Sequence, residues 1–194
     1  MNQQNPVQTP QIINEVYINF CGEISYTSVN SLMATFSQLV TAHKTKVVHF
    51  LISSPGGNVD AGIALYNFLV SLPIELHTYN MGSIDSIANM IFIAGESRHA
   101  SPESTFLFHG IKYTFSVNTQ LTLGQVKEME SKMEKEENKM AGILTSRTTL
   151  NQKELKKLFK EGQSKGLDFA KEKGIIHDIK SLQIPPGAQV YNIQ

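Results

Sequence analysis

The segment 46–52 constrains the fold more than any other stretch, because it is almost continuously apolar over the length of one strand. Such a run suits a strand that is covered on both faces, as in a parallel sheet. Residues 15–20 and 74–79 also have strand composition. Apolar residues recur at helical spacing over 28–42 and again from residue 58 to about 72. This β-α-β-α-β alternation predicts an α/β fold with right-handed crossovers.

The second half of the chain is mainly helical. A long helix dense in charge is expected over 122–146, with further helices over 151–160 and 166–173 and a short last strand within 175–179. The end, around Pro185-Pro186-Gly187, is predicted to be extended and irregular. The long helix carries an apolar stripe that Glu136 interrupts. It suits packing on its own domain or on a partner helix, and the pattern leaves both open. The stripe consists of Val126, Met129, Met133, Met140 and Ile143.

Composition excludes several functions. Lys plus Arg and Asp plus Glu are both 17, so the chain lacks the basic excess that a nucleic-acid or membrane-surface role needs. A formal charge of zero also does little to oppose self-association. The single cysteine, Cys21, allows no intramolecular disulfide and suits a reducing compartment, so we expect a cytoplasmic protein. We interpret residues 1–14 as a flexible polar tail without the features of a secretory signal, and residues 15–194 as one domain.

Three pieces of the chain suggest acyl-transfer chemistry. Ser86 stands at a strand-to-helix corner, His109 follows the next apolar strand, and a Ser54-Pro55-Gly56-Gly57 loop lies upstream. Serine, histidine and backbone N–H donors are the parts of such a site. Each part also has a structural interpretation, since a serine can simply cap a helix and a Gly-Gly pair can simply turn the chain. Ser83 is a competing candidate nucleophile in the same loop.

Two familiar kinds of site are not supported. The G-x-S-x-G elbow is absent, because Ile84 and Ala88 stand where its glycines would be. The histidines show no metal-ligand spacing, so we expect no metal site.

In order and spacing, these pieces resemble the proteolytic subunit of the Clp protease, a family of the ClpP/crotonase superfamily. The resemblance covers roughly residues 15–180 and includes the family's Pro-Gly-Gly loop, its Gly-x-x-x-Ser motif, its histidine strand after a proline, its long handle helix and its closing helical segment. In this chain these correspond to 52–57 with Gly62, 82–86 leading to Ala94-Gly95, Pro102 with His109, the helix over 122–146, and 169–176.

The resemblance implies repeated β-α units of the ClpP/crotonase type with a handle helix, and a serine peptidase that needs no cofactor or metal. Ser86 would be the nucleophile, His109 the general base, and the N–H groups of Gly57 and Ile87 the oxyanion hole. The peptide or unfolded-protein substrate would lie extended along Gly56 and Gly57. The resemblance also implies stacked homo-oligomeric rings of six or seven subunits and an unfoldase ATPase as partner.

The chain departs from the family pattern in three places. Gly162 stands where the family has its catalytic Asp, while Glu161 and Asp168 are near but out of register. Asp85 precedes the nucleophile where the family has a small residue, and the N-terminal segment is unlike the family's axial loops. The site can therefore be a Ser-His dyad, or a triad completed by another acid, or weak. Two alternatives remain: an inactive ClpP-like ring subunit, and a crotonase-type acyl-CoA enzyme on the same superfold.

Overall fold

The structure, a computed structural model, describes residues 12–193 as a sheet of eight strands with six helices in those residues. The strands are β1 (Glu15–Cys21), β2 (Val47–Ser54), β3 (Glu75–Asp85), β4 (Ser97–Ala100), β5 (Thr105–Leu107), β6 (Ser164–Lys165), β7 (Asp178–Ile179) and β8 (Val190–Ile193). The helices are α1 (Tyr26–Thr41), α2 (Val59–Ser71), α3 (Ala88–Ile93), α4 (Leu123–Arg147), α5 (Gln152–Glu161) and α6 (Leu167–Glu172).

The sheet is almost entirely parallel, which confirms the predicted α/β class. Its strands run in the order β6-β5-β3-β2-β1-β8, with β4 beside β3 and β7 beside β4. Only the β5–β6 pair is antiparallel among the paired strands that the structure describes. Strand β2 pairs with β1 on one side and β3 on the other, which explains why its sequence is almost continuously apolar.

Strand β3 changes its neighbour halfway along. Its first half pairs with β4 from His77 to Asn80, and its last three residues pair with β5 from Ser83 to Asp85. The sequence predicts this strand over 74–79 only, whereas the structure extends it to Asp85. The extra length carries the chain directly to Ser86.

One face of the sheet holds the main core and the opposite face a much smaller cluster. Helices α1, α2 and α3 bury Phe36, Leu65 and Phe92 against strand residues such as Phe50. On the other face, Tyr17, Leu51 and Tyr79 are covered by the partly buried Leu182 and Ala188 of the C-terminal segment.

The apolar stripe of α4 packs on its own domain along only one half of the helix. Met140, Ala141 and Leu144 are buried in the main core. Leu123 and Val126, at the other end, are exposed. The C-terminal half therefore packs on its own domain, and the N-terminal half projects from the body.

Several details at the chain ends differ from prediction. The segment after Pro185-Pro186-Gly187 forms β8, parallel to β1, whereas an irregular end was expected. The strand predicted within 175–179 is reduced to Asp178 and Ile179. Of the predicted tail over residues 1–14, residues 1–11 lie outside the described residues. Asn14 accepts hydrogen bonds from the chain at the start of β2, so the ordered chain begins before Glu15.

Among the helices described within residues 12–193, none is both long and apolar enough to cross a membrane.

Candidate active site

Ser86 occupies a strained corner between β3 and α3. Its φ is +55°, in the left-handed region that side chains other than glycine seldom adopt. Helix α3 starts only at Ala88, so Ser86 lies before the helix rather than in its first turn. The Ser86 N–H donates to the Leu107 carbonyl over 2.8 Å, which fastens the corner to the end of β5. A non-glycine residue in this conformation is typical of a functional turn that its surroundings hold in place.

The side chain of Asn89 holds this corner by hydrogen bonds, and no sequence motif singled this residue out. Its fully buried side-chain amide donates to the carbonyls of Ser86 (2.9 Å), Leu107 (2.9 Å) and Ile84 (3.3 Å). The signal in the sequence was one amide within an otherwise apolar run, from Ile87 to Ala94. Because a buried polar side chain needs partners, such a residue marks a place where backbone groups lack their own.

The Gly-Gly loop packs directly against the serine. A Cβ built on Gly56, whose φ is +90°, would lie 2.7 Å from the Ser86 Cβ and 2.8 Å from the Asp85 carbonyl oxygen. Gly57 has a φ of +145° and pairs with Ile24, whose N–H donates to the Gly56 carbonyl over 2.8 Å. Only glycine fits this close approach of two backbone segments.

Two backbone N–H groups beside the serine have no hydrogen-bond partner within residues 12–193. Within the described residues, neither the Gly57 N–H nor the Ile87 N–H donates a hydrogen bond. Ile87 directly follows Ser86, and Gly57 directly follows the glycine that touches it. Free N–H groups flanking a hydroxyl are the arrangement that can bind a developing oxyanion.

His109 lies two residues beyond β5, beside the serine corner. Leu107 pairs with Asp85 and also accepts from the Ser86 N–H. The Nδ1 atom of His109 lies 2.6 Å from the Gly110 carbonyl oxygen. In the part of the chain that is described, the Ser86 hydroxyl and the His109 ring form no hydrogen bond with each other. The fold therefore brings the two residues to one edge of the sheet without joining them.

Asp85 is placed on the histidine side of the corner. Its carboxylate accepts a weak 3.4 Å hydrogen bond from the Ser83 hydroxyl. Burial raises the pKa of Asp85, while the Ser83 hydroxyl and the nearby His109 oppose that rise. Ile84 is buried on the opposite side of β3. Asp85 thus interacts electrostatically with the candidate base.

No acid occupies position 162, to which the resemblance assigns a catalytic Asp. Gly162 caps the C-terminus of α5 with a φ of +58°, and a Cβ built on it would lie 3.7 Å from the Cβ of His109. Glu161 points its carboxylate at Lys157 and Lys165. Asp168 is exposed in the first turn of α6. Neither acid bonds to the histidine, although Gly162 itself stands beside it.

A cleft of about 180 Å³ opens next to the Gly-Gly loop. Its walls include Gly57, Ile111 of the segment after His109, and Lys132 and Glu136 of α4. Glu136 is almost fully buried and lies 3.4 Å from Lys132, which also reaches Asp60 at 3.3 Å. The cleft joins the loop, the histidine segment and the long helix around a polar lining.

A metal has no evident place here. Across residues 12–193, no three His, Cys, Asp or Glu side chains converge in a way that would hold an ion.

Comparison with known proteins identifies relatives of one kind. The family model described as Clp protease matches residues 2–182. The ATP-dependent Clp protease proteolytic subunit 2 of Mycolicibacterium paratuberculosis is 32% identical over 101 residues, which cover 51% of this chain and 51% of that protein. The proteolytic subunit 2 of Treponema denticola is 30% identical over 136 residues, covering 67% of this chain and 66% of that protein. The match thus spans about half the length of the first relative and about two thirds of the second.

Proposed function

This chain belongs to the Clp protease family, and we propose that it is a serine-type endopeptidase that cleaves peptides or unfolded proteins through an acyl-enzyme intermediate. One observation carries the proposal. Gly56 packs against Ser86, a strained serine corner, and the neighbouring N–H groups of Gly57 and Ile87 are both free. Backbone strain, close glycine packing and unpaired donors are each costly for stability alone, and they coincide at one hydroxyl.

In the proposed reaction, the Ser86 Oγ attacks the carbonyl carbon of the scissile bond and its proton passes to His109. The oxyanion that forms accepts hydrogen bonds from Gly57 and Ile87, whose N–H groups need no rearrangement of partners. The same proton then passes to the leaving amine as the C–N bond breaks. Water repeats the steps on the acyl ester and releases the second product with free Ser86.

The Ser86 hydroxyl and the His109 ring are not hydrogen-bonded in the free chain. This mechanism therefore requires them to move together and form that bond. Catalytic hydrogen bonds are often long or absent without substrate and tighten in the complex. The substrate would lie extended along Gly56 and Gly57. One of its side chains would enter the cleft that Lys132 lines.

The assembly and its surroundings are also part of the proposal. We infer homo-oligomeric rings of six or seven subunits, stacked through the first turns of α4, where Leu123 and Val126 are exposed. An unfoldase ATPase would deliver substrates, as the name of the relatives, ATP-dependent Clp protease proteolytic subunit, suggests. We place the protein in the cytoplasm.

A second candidate is an inactive ring subunit, and a specific observation favours it. Gly162 leaves the position beside His109 without a carboxylate, which normally orients the histidine and stabilises its charged form. Such a subunit would assemble and shape the chamber without cleaving.

Hydrolysis of an unstructured fluorogenic peptide separates the two candidates. We expect the assembled wild type to cleave it and Ser86→Ala to lose at least about 10³-fold in kcat. Ser83→Ala is the matched control and should retain activity, because Ser83 is the competing hydroxyl of the same loop. An assembled wild type as slow as Ser86→Ala would favour the inactive subunit instead.

A further inference from the structure

The hydrogen bond at His109 fixes which of its ring nitrogens carries the proton. The contact from Nδ1 to the Gly110 carbonyl oxygen is 2.6 Å. A carbonyl oxygen can only accept, so the proton must be on Nδ1 in the neutral ring. Nε2 then keeps its lone pair and is free to receive the Ser86 proton. The Gly110 carbonyl thus occupies the orienting role that a triad gives to its acid.

The peptide group that carries this carbonyl is held from its other side by a carboxylate. The Ile111 N–H belongs to the same planar group and donates to Glu137 Oε1 over 3.1 Å. Because C=O and N–H point in opposite directions across a trans peptide, the group is clamped between Glu137 and His109. Hydrogen bonds in such a chain polarise one another, so a negative charge on Glu137 strengthens the carbonyl as an acceptor.

The surroundings leave room for that carboxylate beside the Gly110 backbone. A Cβ built on Gly110 would lie 2.6 Å from Glu137 Oε1, so any side chain there would displace the carboxylate. The Gly110 N–H donates to the Phe159 carbonyl of α5 over 2.9 Å, which fixes the segment independently. Within residues 12–193, Glu137 forms no ion pair, although Lys156 lines the same surface pocket.

We propose that Glu137, on α4, is a positioning residue that acts on His109 through the Gly110–Ile111 peptide group and does for it what an acid at position 162 would do. This inference rests on the proposed peptidase function. It assigns the orienting charge to the long helix rather than to the segment after α5. The site is then a dyad of Ser86 and His109 with a relayed carboxylate.

The test is kinetic and compares two glutamates on one helix. Glu137→Gln keeps an oxygen that can accept from Ile111 but loses the charge, and should lower kcat about fivefold with KM nearly unchanged, as a charged acceptor is replaced by a neutral one. Glu134→Gln is the control, because Glu134 is an exposed glutamate one turn away, and it should match wild type. Equal kcat for Glu137→Gln and Glu134→Gln would overturn the inference.

A rescue experiment separates a charge effect from damage to the fold. Adding Gly162→Asp to Glu137→Gln puts a carboxylate beside His109 from position 162. The double variant should regain the kcat that Glu137→Gln loses. Failure of Gly162→Asp to restore any of it, in a variant that unfolds at the wild-type temperature, would contradict a shared role.

A spectroscopic readout distinguishes this inference from the proposed function. Solid-state ¹⁵N spectra of histidine-labelled, substrate-free protein, assigned with His109→Gln, should show His109 protonated at Nδ1 when neutral. The ¹⁵N chemical shift of Nδ1 should also differ from wild type in Glu137→Gln and be the same as wild type in Glu134→Gln. Protonation at Nε2 overturns the inference even in an active enzyme. Absence of peptide cleavage, by contrast, contradicts the peptidase proposal and leaves the spectra to decide the role of Glu137.

Discussion

The serine and histidine sides of the candidate site are built very differently. The serine corner is fixed by three hydrogen bonds from buried Asn89, one from its own N–H and close packing of Gly56. His109 follows a strand of three residues, and its ring bonds only to the next carbonyl among the described residues. The chain thus holds its candidate nucleophile by many direct contacts and orients the ring of its candidate base by a single hydrogen bond.

This difference shows where activity can be gained or lost. Changes on the serine side should reduce stability and reactivity together, because the same contacts that hold the corner also aim the hydroxyl. Changes on the histidine side should alter the rate with little effect on the fold. The four variants below test that division, from the largest expected effect to the smallest.

Gly56→Ala should be the most damaging. The new Cβ would lie less than 3 Å from Ser86 and from the Asp85 carbonyl oxygen, and the φ of +90° is unfavourable for alanine. The free energy of unfolding should therefore fall by about 3 kcal/mol. Denaturant unfolding measures this loss. Gly142→Ala is the control, since nothing lies within 4 Å of its Cβ inside α4, and it should gain about 1 kcal/mol from helix propensity. Equal stabilities would refute the close packing.

Asn89→Ala should cost about 2 kcal/mol of unfolding free energy, because it removes the side-chain amide that bonds to the carbonyls of Ser86, Leu107 and Ile84. Thermal unfolding gives the comparison with Asn138→Ala, in which an exposed amide of α4 is removed. Peptide cleavage by Asn89→Ala should fall as well. A variant with normal stability and normal cleavage would show that the corner does not depend on this side chain.

Gly162→Asp should raise kcat about tenfold on the histidine side, because it adds a carboxylate next to His109. Gly162→Asn is the matched control: both residues tolerate the left-handed conformation, but the amide brings no charge. Steady-state peptide hydrolysis distinguishes them. If both variants change kcat alike, the position does not serve as an acid site.

Asp85→Asn should have the smallest effect, a loss of about twofold in kcat at neutral pH, because the carboxylate lies near His109 and would stabilise the positive charge that the ring takes on during the reaction. Its stability effect has the opposite sign. Burial raises the pKa of Asp85 above its ordinary value of 3.8. The folded state therefore loses stability as the pH rises from 3.8 through the raised pKa.

Asp85→Asn removes this loss and should therefore raise the free energy of unfolding slightly at pH 7, with no gain below the unfolded pKa. Urea titrations of both proteins at acid and neutral pH give the difference. A larger gain at low pH than at neutral pH would contradict the assignment.

The regular parts of the fold were predictable from the sequence because local pattern decides them. The continuous apolar run of β2 indicated a strand between two others, and the helical spacing from residue 58 to about 72 indicated α2. Strand β8 was missed because four residues after two prolines give too short a pattern. Its existence depends on pairing with β1, more than 160 residues away in sequence.

The sequence proposes the candidate site as a set of residues but not as a geometry. Motif spacing singles out Ser86, His109, Gly56 and Gly57 as candidates, and the structure places Gly56 against Ser86 and brings the end of β5 beside the serine corner. The left-handed φ of Ser86 and the contacts of Asn89 and Glu137 arise from long-range packing. No local pattern encodes a glutamate that bonds to a backbone group 26 residues earlier.

Covalent labelling of Ser86 tests the central claim most directly. Wild-type protein treated with a fluorophosphonate should gain one adduct mass, which peptide mapping should locate on Ser86. Ser83→Ala should label like wild type, while His109→Ala should label far more slowly for want of a base. The account would be contradicted if Ser86→Ala were labelled as fast as wild type, or if an assembled, folded wild type were not labelled at all.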